Sequence, residues 1–567
     1  MRITISAFIV ACSAALVVAS PVQAPLQVEH EAGTAITARP KKLHGRFLHI
    51  TDMHPDPFYT AHSSTKRSCH GKNPKKKQAG YWGTPDAECD SPLRLTNFTL
   101  DYLDKHWAGD IDFVVWTGDN ARHDEDHQIP RTPSEIFDLN RQVAMRMEKI
   151  FLKRGIPVVP SIGNNDIWLL FASNFPHLNV ATWQQNIMTP GPNSITNEFV
   201  SIWQPFVPFP QRQVFQRGAY YSTEVIPGRV AVISLNSIYF YDSNKAVGGC
   251  QYNEREDAGN LEFDWLEVQL KMYRNKNMLV YLSGHIPPSP GMYFPECYVR
   301  YVELSLRFQD IILGHLYGHM NVDYFSFVEE IDLEIIPNED PKPDRAAADG
   351  LYETLMSEFA HLPSESDEDK LDGLAAISVA PSVVPNPFVP GFRIFSYNVS
   401  SEALVKPTGK RNHGHRRGRR GDKDKHCQEE QYSRSWKCHL DQPWHSDPDA
   451  PSRRNQAFTP LGFAQFYMPD IAEANKTHPP HFKLEYLTYE LTALHPKGSG
   501  DEKFVYPVPV RQLPRSLRDG KKESSKYAPY SMTDLTIGSW VGLGRRLGAE
   551  GYGKLRRRFR KYMFVSV

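Results

Sequence analysis

The stretch that decides the fold is FLHITDMHPDP, residues 47–57. Phe47 to Thr51 are apolar, aromatic or β-branched residues of the kind that form a buried strand. The run ends in Asp52, Met53 and His54, and the prolines that follow stop any regular element. Alone, an Asp-x-His after a strand is ordinary turn composition. Its weight depends on whether other strands end in the same manner.

Four more runs do. They are DFVVWTGDN (112–120), IPVVPSIGNND (156–166), MLVYLSGHIPP (278–288) and DIILGHLYGHMNVDYF (310–325). Each is an apolar run closing on Gly followed by Asp, Asn or His. RVAVISLNS (229–237) is a further strand-like run. Helical patterns lie between some of them: residues 137–155 and 259–276 carry apolar side chains at three- and four-residue spacing. Strands alternating with helices predict an α/β layered core, and in such sheets ligands gather beyond the carboxyl ends of the strands. One Gly-Asp turn is commonplace, but an ordered series of them is not.

In chain order the candidate ligands are Asp52, His54, Asp119, Asn164, His285, His319 and Asn321. Carboxylate, imidazole and carboxamide oxygen suit borderline or hard divalent ions, here two of Mn, Mg, Zn, Co or Fe. A central carboxylate bridging two ions about 3.5 Å apart binds a phosphate oxygen, activates water and stabilises the transition state. Phosphoryl transfer asks mainly for such positioning and charge neutralisation.

Composition agrees with a large globular chain. Its 567 residues are 40% hydrophobic and 23% charged, and Lys+Arg and Asp+Glu both number 65. Zero net charge gives no global field for nucleic acid. The N-terminus, MRITISAFIVACSAALVVASPVQAP, reads over residues 1–24 as a signal peptide or an uncleaved signal-anchor. Outside it lie six cysteines, an even number that fits three disulfides in an oxidising compartment. The count leaves fifteen pairings open. Sequential pairing is the expectation, because each bond then closes a local loop: Cys69–Cys89, Cys250–Cys297 and Cys427–Cys438. Sequons at Asn97, Asn398 and Asn475 are compatible with glycosylation.

The domain reading follows composition. Residues 40–335 form the catalytic core, 336–372 an acidic flexible insert, and 373–405 the return of the core. Residues 406–426 form a basic flexible insert, 427–510 a C-terminal region packing on the core, and 511–567 a basic tail. Residues 406–425 carry nine Lys or Arg against two Asp, enough for a mobile segment to attract a polyanion. Lys75, Lys76 and Lys77 are a smaller early cluster.

Asp52-x-His54, Gly118-Asp119-x-x-x-His123, Gly163-Asn164, Gly284-His285 and Gly318-His319 resemble the calcineurin-like metallophosphoesterase superfamily over residues 47–327. The resemblance implies a four-layer α/β/β/α sandwich with a dimetal site at strand ends. It assigns Asp52 and His54 to the first ion, Asp119 to the bridge, and Asn164, His285 and His319 to the second. Two positions depart from the pattern. Asn165 stands where the superfamily has a phosphate-contacting His, and Asn321 stands where it has the last His ligand. Asn321 keeps an oxygen for the first ion. An amide cannot deliver a proton as imidazole does, so His123 is the expected substitute. In the sphingomyelinase-like branch a His at that position lies near the phosphate. The catalytic candidates are thus Asp119, His123 and Asn165, with Asp166 supporting the Asn164 turn.

Within the superfamily the chain is more similar to the family of fungal endopolyphosphatases. The GNND and GHMNVDYF variants, the N-terminal apolar segment, APSVVPNPFVPGFRIF (380–395) and the basic insert carry this likeness. It implies inorganic polyphosphate as substrate, cut internally, and a vacuolar location reached through the secretory pathway. It also implies a single N-terminal membrane anchor and maturation by processing proteases. The alternatives are a secreted sphingomyelinase-like phosphodiesterase acting on a lipid or nucleotide diester, and a non-catalytic phosphate-binding scaffold.

Overall fold

Phe47, Leu48 and Ile50 have no exposed surface, so the strand they form is central and buried on both faces, as a continuous apolar run requires. The computed structural model describes residues 43–71, 78–167, 188–335, 348–364, 366–399, 426–440, 447–494, 507–518 and 521–565. Residues 1–24, Lys75 to Lys77, most of the basic insert and the first part of the acidic insert lie outside them. Among the described residues no helix is long and apolar enough to cross a membrane.

The strands are β1 (Arg46–Ile50), β2 (Pro55–Asp56), β3 (Ser91–Pro92), β4 (Phe113–Trp116), β5 (Val158–Pro160), β6 (Tyr221–Ile226) and β7 (Val230–Ser234). They continue with β8 (Leu279–Ser283), β9 (Ile312–Tyr317), β10 (Tyr324–Glu329), β11 (Leu374–Val379), β12 (Gly391–Tyr397), β13 (Pro460–Tyr467) and β14 (Lys483–Leu487). One sheet has the order β14-β13-β12-β1-β4-β5 and the other β10-β11-β9-β8-β7-β6. β1, β4 and β5 run parallel, as do β7, β8, β9 and β11, so five strands aim their carboxyl ends at the expected ligand turns. β2 and β3 make a small parallel pair beside them.

The sheets pack face to face. The Phe47 ring stacks on Phe113 at 4.5 Å and on Phe395 at 4.9 Å within its sheet, and meets Tyr281 of the facing sheet at 5.1 Å. Ser161 and Ser234 join their hydroxyls across the interface at 2.9 Å. Each such buried Phe or Leu contributes about 1.5–3 kcal/mol, which holds the strand ends in fixed register. A polar brace also crosses: Arg393 pairs with Asp323 and donates to Ser378 Oγ at 3.0 Å.

Helices cover both outer faces. α1 (Leu93–His106) and α2 (Pro133–Ile150) lie over the first sheet, with Tyr102 against Phe392. α3 (Ser194–Ile202) and α4 (Arg212–Gly218) follow. α5 (Ala258–Asn275) and α6 (Pro295–Arg307) lie over the second, where Tyr273 donates to Ser222 Oγ and the Tyr301 hydroxyl meets His315 Nδ1 at 2.6 Å. This is the expected four-layer sandwich. The three disulfides pair sequentially, also as expected.

The C-terminal segment is more ordered than its charge suggests. It holds α8 (Ile537–Gly548) and α9 (Gly553–Met563), and α7 (Ala348–Ala360) joins them. Trp540, Phe359 and Phe559 pack around Phe325 of β10 at 4.7, 4.7 and 5.9 Å.

Candidate metal centre

The ligand turns are locked to one another before any side chain acts. Asp52 N donates to Gly118 O at 3.0 Å, and Met53 N and His54 N both donate to Asp119 O. Gly318 N donates to His285 O at 3.0 Å, joining the two turns of the second sheet. Asp52, His54, Asp119, His319 and Asn321 all have positive φ, between 36° and 72°. Non-glycine residues hold that conformation at a cost of about 1–3 kcal/mol each, and it clusters at functional sites. Glycine is obligatory where the turns touch. A Cβ on Gly163 would lie 2.1 Å from Asp119 Oδ1, and one on Gly318 would lie 2.0 Å from Thr51 Oγ1.

The side chains converge on Asp119. His54 Nε2 is 3.3 Å and His285 Nε2 3.2 Å from Asp119 Oδ2. His285 Nε2 is 2.9 Å from Asn164 Oδ1, and His319 Nδ1 is 3.3 Å from His285 Nε2. Asp52 Oδ1 is 3.6 Å from His54 Nε2. Among the described residues three groups could hold a cation: Asp52–His54–Asp119 and Asp119–His285–His319, which share Asp119, and His54–Asp90–His123 beside them. Asn164 adjoins the second. Asn321 is placed by its amide, which donates to Asn386 O at 3.0 Å.

This donor set fits metal. His54 Nδ1 donates to Ala121 O and His285 Nδ1 to Thr117 O, so each ring turns its Nε2 lone pair inward. His285 Nε2 then faces the Asn164 and Asp119 oxygens, acceptor against acceptor, an arrangement that calls for a cation. Asp52 Oδ1, His54 Nε2 and Asn321 Oδ1 are buried without a hydrogen-bond partner. Each such orphan costs about 1–3 kcal/mol. The electrostatics point the same way. Burial opposes charge on His54 and His285, but Asp119 outweighs it, raising His54 and pushing His285 up to about 9. Burial and the neighbouring His285 lower His319 to about 4.

Asn165 is tied to the shared carboxylate. Its backbone N–H and side-chain amide donate to the two Asp119 oxygens at 2.8 and 2.9 Å, so it fixes the shared carboxylate. Asp166 supports its turn as expected, accepting from Gly163 N, and it reaches further, to Asp119 N and Asn120 N. Burial and the Asp119 charge raise its carboxyl to about 6.

His123 lies beside the ligands, its ring stacked on His54 at 4.0 Å. Its Nδ1 donates to Asp90 Oδ1 at 2.7 Å and its backbone N–H to Asp90 Oδ2. Asp90 was not legible as a site residue in the sequence. The available signal was its place directly after Cys89, whose disulfide to Cys69 pins that loop. Arg131 was also missed. Buried, it donates to Asn165 O at 2.8 Å and to Arg122 O at 2.9 Å.

Two sheets in a helix-covered sandwich, with aspartate, histidine and asparagine at their carboxyl ends, define a calcineurin-like phosphoesterase, and residues 45–322 match that family's model. An endopolyphosphatase of Cryptococcus neoformans is 37% identical over 97% of this chain and 96% of its own length. One from Schizosaccharomyces pombe is 37% identical over 67% of this chain and 66% of its own. One from Neurospora crassa is 35% identical over 68% and 57%. The chain belongs to the endopolyphosphatase family, and its centre is a divalent-metal site.

Proposed function

We propose that this chain is a hydrolase that cuts the phosphoanhydride bonds of inorganic polyphosphate at internal positions, using two divalent ions that share Asp119. The observation that carries it is the pair of ligand groups meeting at that carboxylate. Asp52, His54 and Asn321 would hold one ion, and Asn164, His285 and His319 the other. Bound there, the ions supply charge neutralisation for the phosphoryl group and acidify a water. The protein residues do the rest. Asn165 holds both oxygens of the Asp119 carboxylate by hydrogen bonds. Ala121 O and Thr117 O fix the two imidazole tautomers. His123, oriented by Asp90, keeps Nε2 available to give a proton to the leaving oxygen.

Secretory entry through residues 1–24, a vacuolar location, glycosylation and proteolytic maturation belong to the same reading. The apolar N-terminus and three disulfides support the route.

The test is hydrolysis of long-chain polyphosphate by the purified full chain with and without each divalent ion. Turnover restored by an ion after chelation is expected. Metal-independent turnover would remove the proposal.

A further inference from the structure

We infer that the C-terminal helix α9 is a cationic rail along which a linear polyphosphate chain is led to the metal centre. This rests on the proposed polyphosphate activity.

α9, GKLRRRFRKYM, has six Lys or Arg in eleven residues and no acid. Its apolar face is fixed: Phe559, Tyr562 and Met563 are buried, with Tyr562 stacked on Tyr486 at 4.7 Å. Lys554, Arg557, Arg560 and Lys561 are thereby left exposed. Three of the six have structural work, Lys561 among them through its charge on the buried Glu485. Arg556 donates to Leu547 O and Gly548 O, capping α8, and the Arg560 guanidinium lies over the Tyr352 ring at 5.3 Å. Among the described residues, no carboxylate pairs with Lys554, Arg557, Arg558 or Arg560.

The helix dipole sharpens the point. Cations in a last turn are stabilising, which accounts for Arg560 and Lys561. In the first turn they oppose the dipole. Lys554 therefore sits where helix stability disfavours it, Arg557 follows it one turn on, and both are exposed with no carboxylate partner among the described residues.

The C-terminal end of the helix lies beside the segments that carry and orient Asn321. Met563 O accepts from Asp323 N at 2.8 Å, two residues beyond Asn321. Phe564 packs on Phe388 at 5.4 Å, in the segment whose Asn386 carbonyl orients Asn321. The C-terminal end of α9 thus abuts both supports of that ligand. Lys526, also exposed, accepts from the Tyr562 hydroxyl through its carbonyl and adds a further cation alongside. A membrane surface fits less well, because the apolar face that would enter a bilayer is already buried in the protein.

The test is the full chain carrying Lys554→Gln and Arg557→Gln, compared with wild type on long-chain polyphosphate and on tripolyphosphate. For long chains, KM should rise about tenfold at low salt and converge with wild type at high salt, as screening removes the attraction. Values of kcat, and KM for tripolyphosphate, should not move. An unchanged long-chain KM, or an equal rise for tripolyphosphate, overturns the rail. Binding of long-chain polyphosphate measured without turnover separates this from the function itself. If wild type binds but does not hydrolyse it, weaker binding by the variant still supports the rail and equal binding refutes it. Loss of binding to anionic vesicles with unchanged polyphosphate affinity would assign the helix to a membrane instead.

Discussion

Asp119 carries more of the site than any other side chain. It faces His54 and His285, is held by both donors of Asn165, and lies where Gly163 leaves room. Asp119→Asn should cut bound metal and lower turnover by about 100-fold or more, because the amide cannot bridge two cations. Metal analysis alongside kinetics checks it, and unchanged metal content with full turnover would refute the shared-carboxylate reading. His123 belongs to the same scale. Its ring lies on a ligand and is aimed by Asp90, so His123→Ala should reduce kcat while leaving metal content intact. The loss should grow with poorer leaving groups, as general-acid catalysis requires. A loss equal for phosphoanhydrides and alkyl phosphodiesters would reduce His123 to an electrostatic contact. The ligands were legible because each strand runs directly into its ligand turn, through a glycine in all but the first. Asp90, Arg131 and the Asn386 carbonyl were not, because they reach the site through tertiary contacts that no local pattern encodes.

At the scale of elements, the loops around the centre are tied by an ionic clasp. Both ring nitrogens of buried His70 face carboxylates, Nε2 toward Asp56 at 2.7 Å and Nδ1 toward Asp126 at 2.9 Å, which suits an imidazolium. Burial opposes that charge, but the two carboxylates outweigh it and raise the His70 pKa. A raised folded value means stabilisation that is complete below the unfolded value of about 6.5 and lost as pH rises through the folded one. His70→Gln should therefore lower the melting temperature more at about pH 5 than at about pH 8.5. A deficit that is equal at both, or larger at the alkaline end, would show that the clasp is not ionic. Strands β1, β4, β5, β8 and β9 were legible from apolar runs with abrupt ends. α8 and α9 were not, because their Arg and Lys residues dominate the composition while Trp540, Phe559 and Tyr562 supply the buried face. That tail reads as solvated charge until the packing partner, Phe325, is known.

For the whole molecule, the sandwich brings turns that are up to 269 residues apart, Asp52 to Asn321, onto one end of two sheets. The order of motifs made that architecture readable, since parallel strands place successive turns at the same end. Where a long substrate lies was not readable, because it depends on how the C-terminal helices close beside the site. The central claim is internal cleavage at this centre. The most direct measurement follows chain length over time when the metal-loaded full chain acts on long polyphosphate. Progressively shorter chains should appear before much orthophosphate does, and Asp119→Asn should abolish the ladder. Orthophosphate from the earliest times beside persisting full-length chains would mean attack from the ends, and would contradict the claim.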